Sequence, residues 1–154
     1  MKKLSLLFIL FTLIFSCNSE KSSDELIFIV QMSVINEKSN QEIKDFSKYY
    51  TAAIQQYEPN SLGWGFYNSF GGIYNSADRI ILIERYLDEN AMMEHGKNIS
   101  EGGKLENHFK MFSEHFEIKK IDVYGNPSER LKEFVKPFGL PFYFHPPLAK
   151  FSRN

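Results

Sequence analysis

His95 is the residue of this chain best placed by its surroundings to move a proton. It falls one turn after Ala91 on the apolar stripe of a helical segment that also carries Met92 and Ile99. An imidazole of ordinary pKa, roughly 6.5, suits proton abstraction near neutrality; otherwise the ring is a satisfied structural histidine. Asn98, three residues on, is placed to orient a ligand or to cap the helix before Gly102. Trp64, the single tryptophan, stands between two glycines in Gly63-Trp64-Gly65-Phe66. The glycines let a flat ligand approach, and the indole with Phe66 offers a stacking wall. A core or dimer-interface role is the alternative for Trp64. Tyr67 and Tyr86 are further candidates, as hydrogen-bond donors to a ligand oxygen. Glu84 and Arg85 are successive residues of a strand-like run, so only one of them can face a pocket. Arg85 is read either as a ligand contact or as half of an ion pair at a subunit interface, since an inward charge is costly unless paired.

Other chemistries are missing. The 154 residues contain one cysteine, which excludes a disulfide framework and any Cys-based zinc site. His108 and His115 are seven residues apart, hence roughly 10.5 Å along a helix, too far to hold one ion together. No other metal-ligand spacing occurs, and there is no GxSxG elbow or phosphate-cradling glycine loop. Eighteen Lys+Arg balance nineteen Asp+Glu, a formal charge of -1. That balance argues against nucleic acid as a partner, because binding phosphates needs a surplus of basic charge. At 43% hydrophobic and 24% charged residues, with 15 Phe and 8 Tyr, the chain has the composition of a folded domain.

The elements that must position these residues follow from the hydropathy pattern. Residues 1–16 read as a signal peptide: Lys2 and Lys3, then an apolar run from Leu4 to Phe15 too short to span a bilayer. Ile14-Phe15-Ser16-Cys17 looks like a bacterial lipobox, with Cys17 lipidated as the mature N-terminus. Residues 17–25 then form a tether, whose polar part is Asn18 to Asp24. Asn18 does not give the inner-membrane retention signal of an Asp, so the expected location is the cell envelope, anchored by lipid in the outer membrane.

The domain itself spans 26–154. A strand runs from Leu26 to Ile35, and Ser39 with Glu42 forms a capping box that opens a helix. That helix lines up Ile43, Phe46, Tyr50, Ala53, Ile54 and Tyr57 and ends at Pro59-Asn60. Gly63 to Ser69 is a second strand, Gly71-Gly72 a turn, and Arg79 to Tyr86 a third strand. Asp88 caps the helix of His95. Leu105, Phe109, Phe112 and Phe116 mark a further helical stretch after Gly102-Gly103. Ile118 to Tyr124, more polar, reads as an edge strand.

The expected fold is α+β: a ferredoxin-like βαββαβ antiparallel sheet with helices on one face. The runs LIFIV and IIL are apolar on both sides, so the second face needs a cover. A second copy of the sheet, in a homodimer, supplies it most simply. The stretch 126–154 adds an extension, with Pro127 at N1 of a helix opened by Asn126, and a strand over Leu140 to Phe144.

Four stretches carry a family resemblance: Glu58 to Tyr67 (EPNSLGWGFY), Ile83 to Asp88 (IERYLD) followed by Ala91 and His95, Tyr124 to Ser128 (YGNPS), and Phe151-Ser152-Arg153. In this order and spacing the domain resembles the antibiotic biosynthesis monooxygenase-like family of dimeric α/β barrels. The resemblance implies a pocket between sheet and helices, and a cofactor-independent monooxygenase acting on a small planar aromatic, phenol- or anthrone-like, that itself supplies the electrons to dioxygen. Aromatic walls, one base and a hydrogen-bond donor suffice for that chemistry. Haem-degrading relatives carry an axial histidine on the helix of His108, an Asn on the first strand and a Trp late in the third. Here the comparable places hold Met32 or Gln31, and Tyr86, so the resemblance implies no cofactor. A non-catalytic ligand-binding or structural dimer of the same fold is the alternative.

Overall fold

The computed structural model describes residues 24–68 and 79–150. The signal segment, Cys17, the polar stretch up to Ser23, the Gly71-Gly72 turn and Phe151-Ser152-Arg153 lie outside the described residues. Among the described residues, no helix is long and apolar enough to cross a membrane.

The elements run β1 (Leu26–Val34), α1 (Asn40–Tyr57), β2 (Ser61–Asn68), β3 (Arg79–Tyr86), α2 (Glu89–Ile99), α3 (Glu106–His115), β4 (Phe116–Tyr124), α4 (Glu129–Val135) and β5 (Phe142–His145). A 3-10 turn, Lys136–Phe138, follows α4 directly. The sheet order is β2-β3-β1-β4-β5. Its first four strands pair antiparallel, which is the ferredoxin-like arrangement. β5 joins parallel to β4 and makes the sheet mixed.

Strand alternation decides what each side chain meets. Leu26, Phe28, Val30 and Met32 of β1 are buried on the helix side, as are Ile80, Leu82, Glu84 and Tyr86 of β3. α1 presents Ile43, Phe46, Tyr50, Ala53 and Ile54 to that layer. Its start is fixed by the expected capping box, in which Ser39 accepts from the Glu42 amide and Glu42 accepts from the Ser39 amide at 2.8 Å. α2 opens on Asp88, whose carboxylate accepts from the Ala91 amide at 2.9 Å. The opposite face of the sheet carries Ile27, Ile29, Ile81 and Ile83, all half-buried.

Three expectations are corrected. β4 is an interior strand, because the extension supplies β5 as the edge. It also starts at Phe116, which takes extended backbone where a fourth helical position was expected. The cap of α4 is Ser128, which accepts from the Leu131 amide, so Asn126 and Pro127 precede the helix instead of opening it. The extension docks on α2 through Gly96: a Cβ there would lie 2.7 Å from the Phe134 ring. A glycine on the inward side of α2 is therefore what lets α4 lie against it.

Candidate active site

The end of α1, the inward face of β3 and α2 converge on a buried polar cluster. Glu58 is the residue after α1, where the helix carbonyls disfavour a carboxylate. Its compensation comes from three donors. His95 Nδ1 donates to Glu58 Oε1 at 3.0 Å, Asn98 Nδ2 to the same oxygen at 3.1 Å, and Ser61 Oγ to Oε2 at 3.1 Å. His95 and Asn98 reach it together because they are three apart on α2 and share a face. Both ends of the His95–Glu58 pair are buried, with 7% and 4% of their side chains exposed. Glu58 takes Nδ1, which leaves Nε2 as the ring nitrogen available to a ligand.

Glu84 is the second carboxylate. Register sets it opposite Trp64 on β2, and Tyr86 Oη donates to its Oε2 at 2.8 Å. The Trp64 ring lies 5.2 Å from that of His95, and the Tyr86 ring 5.8 Å. Trp64 Nε1 is buried with no hydrogen-bond partner among the described residues. A buried N–H is rarely left unmet; His108 Nδ1 is a second buried nitrogen without a partner among the described residues.

Trp64, Glu84 and His95 all line one cavity, with Tyr50, Met92 and Phe109 among its apolar walls. Its volume is about 60 Å³. In that setting the charges shift. Burial pushes the Glu84 carboxyl up, and despite the opposing pull of His95 and the Tyr86 hydrogen bond it stands at about 7. Burial alone would lower the His95 imidazole, but the hydrogen bond and charge of Glu58, with the charge of Glu84, carry it above its ordinary value. Burial also opposes the Glu58 carboxylate, and the bonds from His95, Asn98 and Ser61 overcome this and hold it below the usual range. Tyr50 and Tyr86 are pushed well up by burial and stay protonated. The arrangement can do acid–base chemistry in a mostly apolar space, with a carboxyl group poised near neutrality.

The sequence expectations divide cleanly. His95, Asn98, Tyr86 and Trp64 come together, and Phe66 lies next to them, its ring 6.5 Å from Trp64. Two do not. Tyr67 is 55% exposed and folds over Gly65 on the other sheet face, being three residues from Trp64 where same-side residues are two apart. Arg85 is likewise on that face, next to inward Glu84, and its Nε bonds Glu25 Oε1 at 2.7 Å within the same chain. Arg85 is thus one half of an ion pair on the sheet face away from the helices. His95, expected as a possible base, is paired with Glu58 through Nδ1, and Glu84 is a second buried carboxyl group in the same cluster. Glu58 is not among the expected site residues; of Glu84 and Arg85, only one of which could face a pocket, Glu84 lines the cavity. An acidic residue closing a helix, against its dipole, was the available signal for Glu58.

His108 stacks on Tyr49 at 4.6 Å, and burial lowers its pKa. It takes no part in the cluster. Among the described residues, no group of three or more His, Cys, Asp or Glu is placed to hold a metal ion.

No protein-family model matches the chain, and no curated protein matches it. Solved structures do. MupZ from Pseudomonas fluorescens superposes with a TM-score of 0.56 at 22% identity, over 84% of this chain and 94% of its own. SnoaB from Streptomyces nogalater, a cofactor-independent oxygenase, gives 0.52 at 10% identity over 68% and 95%. A conserved protein of unknown function from Bacteroides thetaiotaomicron gives 0.51 at 15% over 66% and 97%. At such identities the likeness is one of fold: the chain shares the ferredoxin-like α+β architecture of MupZ and SnoaB.

Proposed function

We propose that the domain is a cofactor-independent monooxygenase for a small planar aromatic, with Glu84 as proton acceptor. The observation that carries this is a buried carboxyl group at about 7 set opposite an unpartnered indole N–H, with the buried His95–Glu58 pair alongside. The cofactor-independent oxygenase activity of SnoaB, which shares the fold, supports the same reading. Glu84 takes a proton from the substrate, from the O–H of a phenol or the acidic C–H of an anthrone, and Trp64 Nε1 and His95 Nε2 hold the phenolate or enolate oxygen that forms, leaving carbanion character on a ring carbon. The carbanion passes one electron to dioxygen, and the radical pair joins as a hydroperoxide. Loss of water leaves a new C=O: one oxygen atom stays on carbon, the other departs as water, and Glu84 returns its proton.

The test is oxygen uptake by the domain beginning after Cys17, with a phenol or anthrone in air. Stoichiometric uptake, lowered about 10²-fold in Trp64→Phe, is expected, since one preorganised donor is worth roughly that. Binding without uptake would replace the oxygenase by a non-catalytic ligand-binding dimer of the same fold, and neither binding nor uptake would leave a structural dimer.

In the cell this domain works as a homodimer and is tethered at the outer membrane by lipid on Cys17. The uncovered isoleucines of β1 and β3 support the first part, and the lipobox-like sequence the second. Light scattering of the soluble domain at micromolar concentration should give twice the monomer mass, and Cys17→Ala, once its signal segment has been removed, should leave the membrane fraction. A monomeric mass, or a variant that stays with the membrane, contradicts the corresponding part.

A further inference from the structure

The cavity holds about 60 Å³, less than half the roughly 150 Å³ that takes up one benzene. A ring therefore enters only where a wall gives way, and the walls are not alike. Phe28, Tyr50 and Leu82 are 1–2% exposed and locked between sheet and helices. Phe109 is stacked on Phe112 at 5.8 Å. Phe138, Leu140 and Phe142, from the C-terminal extension, are half-buried and border solvent.

The backbone beneath these three is fixed at both ends. α4 is anchored by buried Leu131 and Val135 and sits on Gly96 of α2, one residue from His95. On the other side the Ile121 amide donates to Pro141 O at 3.0 Å, and Phe142 pairs with Ile121 in the ladder. Between them Gly139, at φ +64, turns the chain so that Phe138 and Leu140 both meet the cavity.

We propose that Phe138 and Leu140 are the size-selecting wall of this pocket, and that its ligand is a single-ring compound. Swinging one phenyl group outward frees about one ring's worth of space, enough with the existing cavity for one ring and too little for three fused rings. This rests on the reading of the pocket as a ligand site, but not on any turnover there. It places the specificity of the site in the extension, outside the βαββαβ unit.

Quenching of Trp64, the single indole, reads binding directly. Phenol, 1-naphthol and anthrone would be titrated into the wild-type domain, Phe138→Ala and Leu140→Ala, each first shown to melt cooperatively. The expected wild-type order is phenol over anthrone by at least tenfold, with anthrone tightening at least tenfold in either variant. Leu140→Ala, the smaller change, keeps the test open where Phe138→Ala does not fold. Unchanged ratios across the three proteins overturn the proposal, as does the absence of a saturable response in all of them. Oxygen uptake is not measured here, so a failed oxygenase reading and a failed wall remain distinguishable.

Discussion

Glu84→Gln should stabilise the fold above neutral pH while reducing turnover by about 10² to 10⁴, the usual worth of a positioned acid–base group. The stability effect follows from linkage. The folded-state pKa of about 7 stands above the ordinary 4.5 because the carboxyl is buried. Below pH 4.5 both folded and unfolded chains hold the proton, and Glu84 imposes no cost. Between 4.5 and 7 the unfolded chain releases it while the folded one keeps it, so stability falls as pH rises. Above 7 the full cost stands, about 3 kcal/mol for a shift of this size. Gln cannot ionise and escapes that cost. Some of the gain is lost because the Glu84 charge also helps to hold the His95 imidazolium. The net expectation is about 2 kcal/mol at pH 8.5, or roughly 6–10 °C in Tm for a domain of this size, and nearly nothing at pH 4.5. Urea unfolding at the two pH values checks it; an equal difference at both would contradict burial as the source of the shift.

Glu58→Ala should have the opposite sign and a larger size. Removing one member of a buried ion pair leaves the other uncompensated, which costs about 3–5 kcal/mol. With Glu58 gone, burial is the largest influence left on His95, and its pKa should drop below the ordinary 6.5. The pH dependence is worked from both partners. His95 is raised in the folded state, so its contribution is complete below 6.5 and is lost as pH rises through the folded value. Glu58 is lowered, so its contribution is complete above 4.5 and is lost as pH falls through its folded value. The pair therefore stabilises most between about 4.5 and 6.5, and the wild-type advantage over Glu58→Ala should peak there. Thermal melts across pH 3 to 9 test this, with His95→Ala and the double variant completing a cycle. Additive losses would mean that the pair does not act as a unit.

What could be read from the sequence followed from period and caps. Ser39 with Glu42, and Asp88, set the starts of α1 and α2, and the α2 stripe brought His95 inward with Asn98. The strand order needed only the pattern of apolar runs. What escaped was set by contacts between distant residues. Glu58 lies 37 positions from His95, and no local pattern joins a helix-closing acid to a histidine on another helix. The partner of Arg85, Glu25, lies 60 positions away. Tyr67 was a misreading of information that was present: with Trp64 inward, strand alternation sends Tyr67 outward. The edge assigned to β4 failed because the strand expected within Leu140 to Phe144, found at Phe142 to His145, pairs with β4, and no local pattern shows which strand a terminal extension will join.

The most direct test of the site is a carboxyl and imidazole NMR titration of the soluble domain, with Glu84→Gln and His95→Gln identifying the two signals. The expected result is a Glu84 side chain that titrates near pH 7 beside a His95 ring still carrying both protons at neutrality. A Glu84 that ionises near 4.5, with His95 neutral at pH 7, would contradict the proton-transfer site on which the proposed function rests.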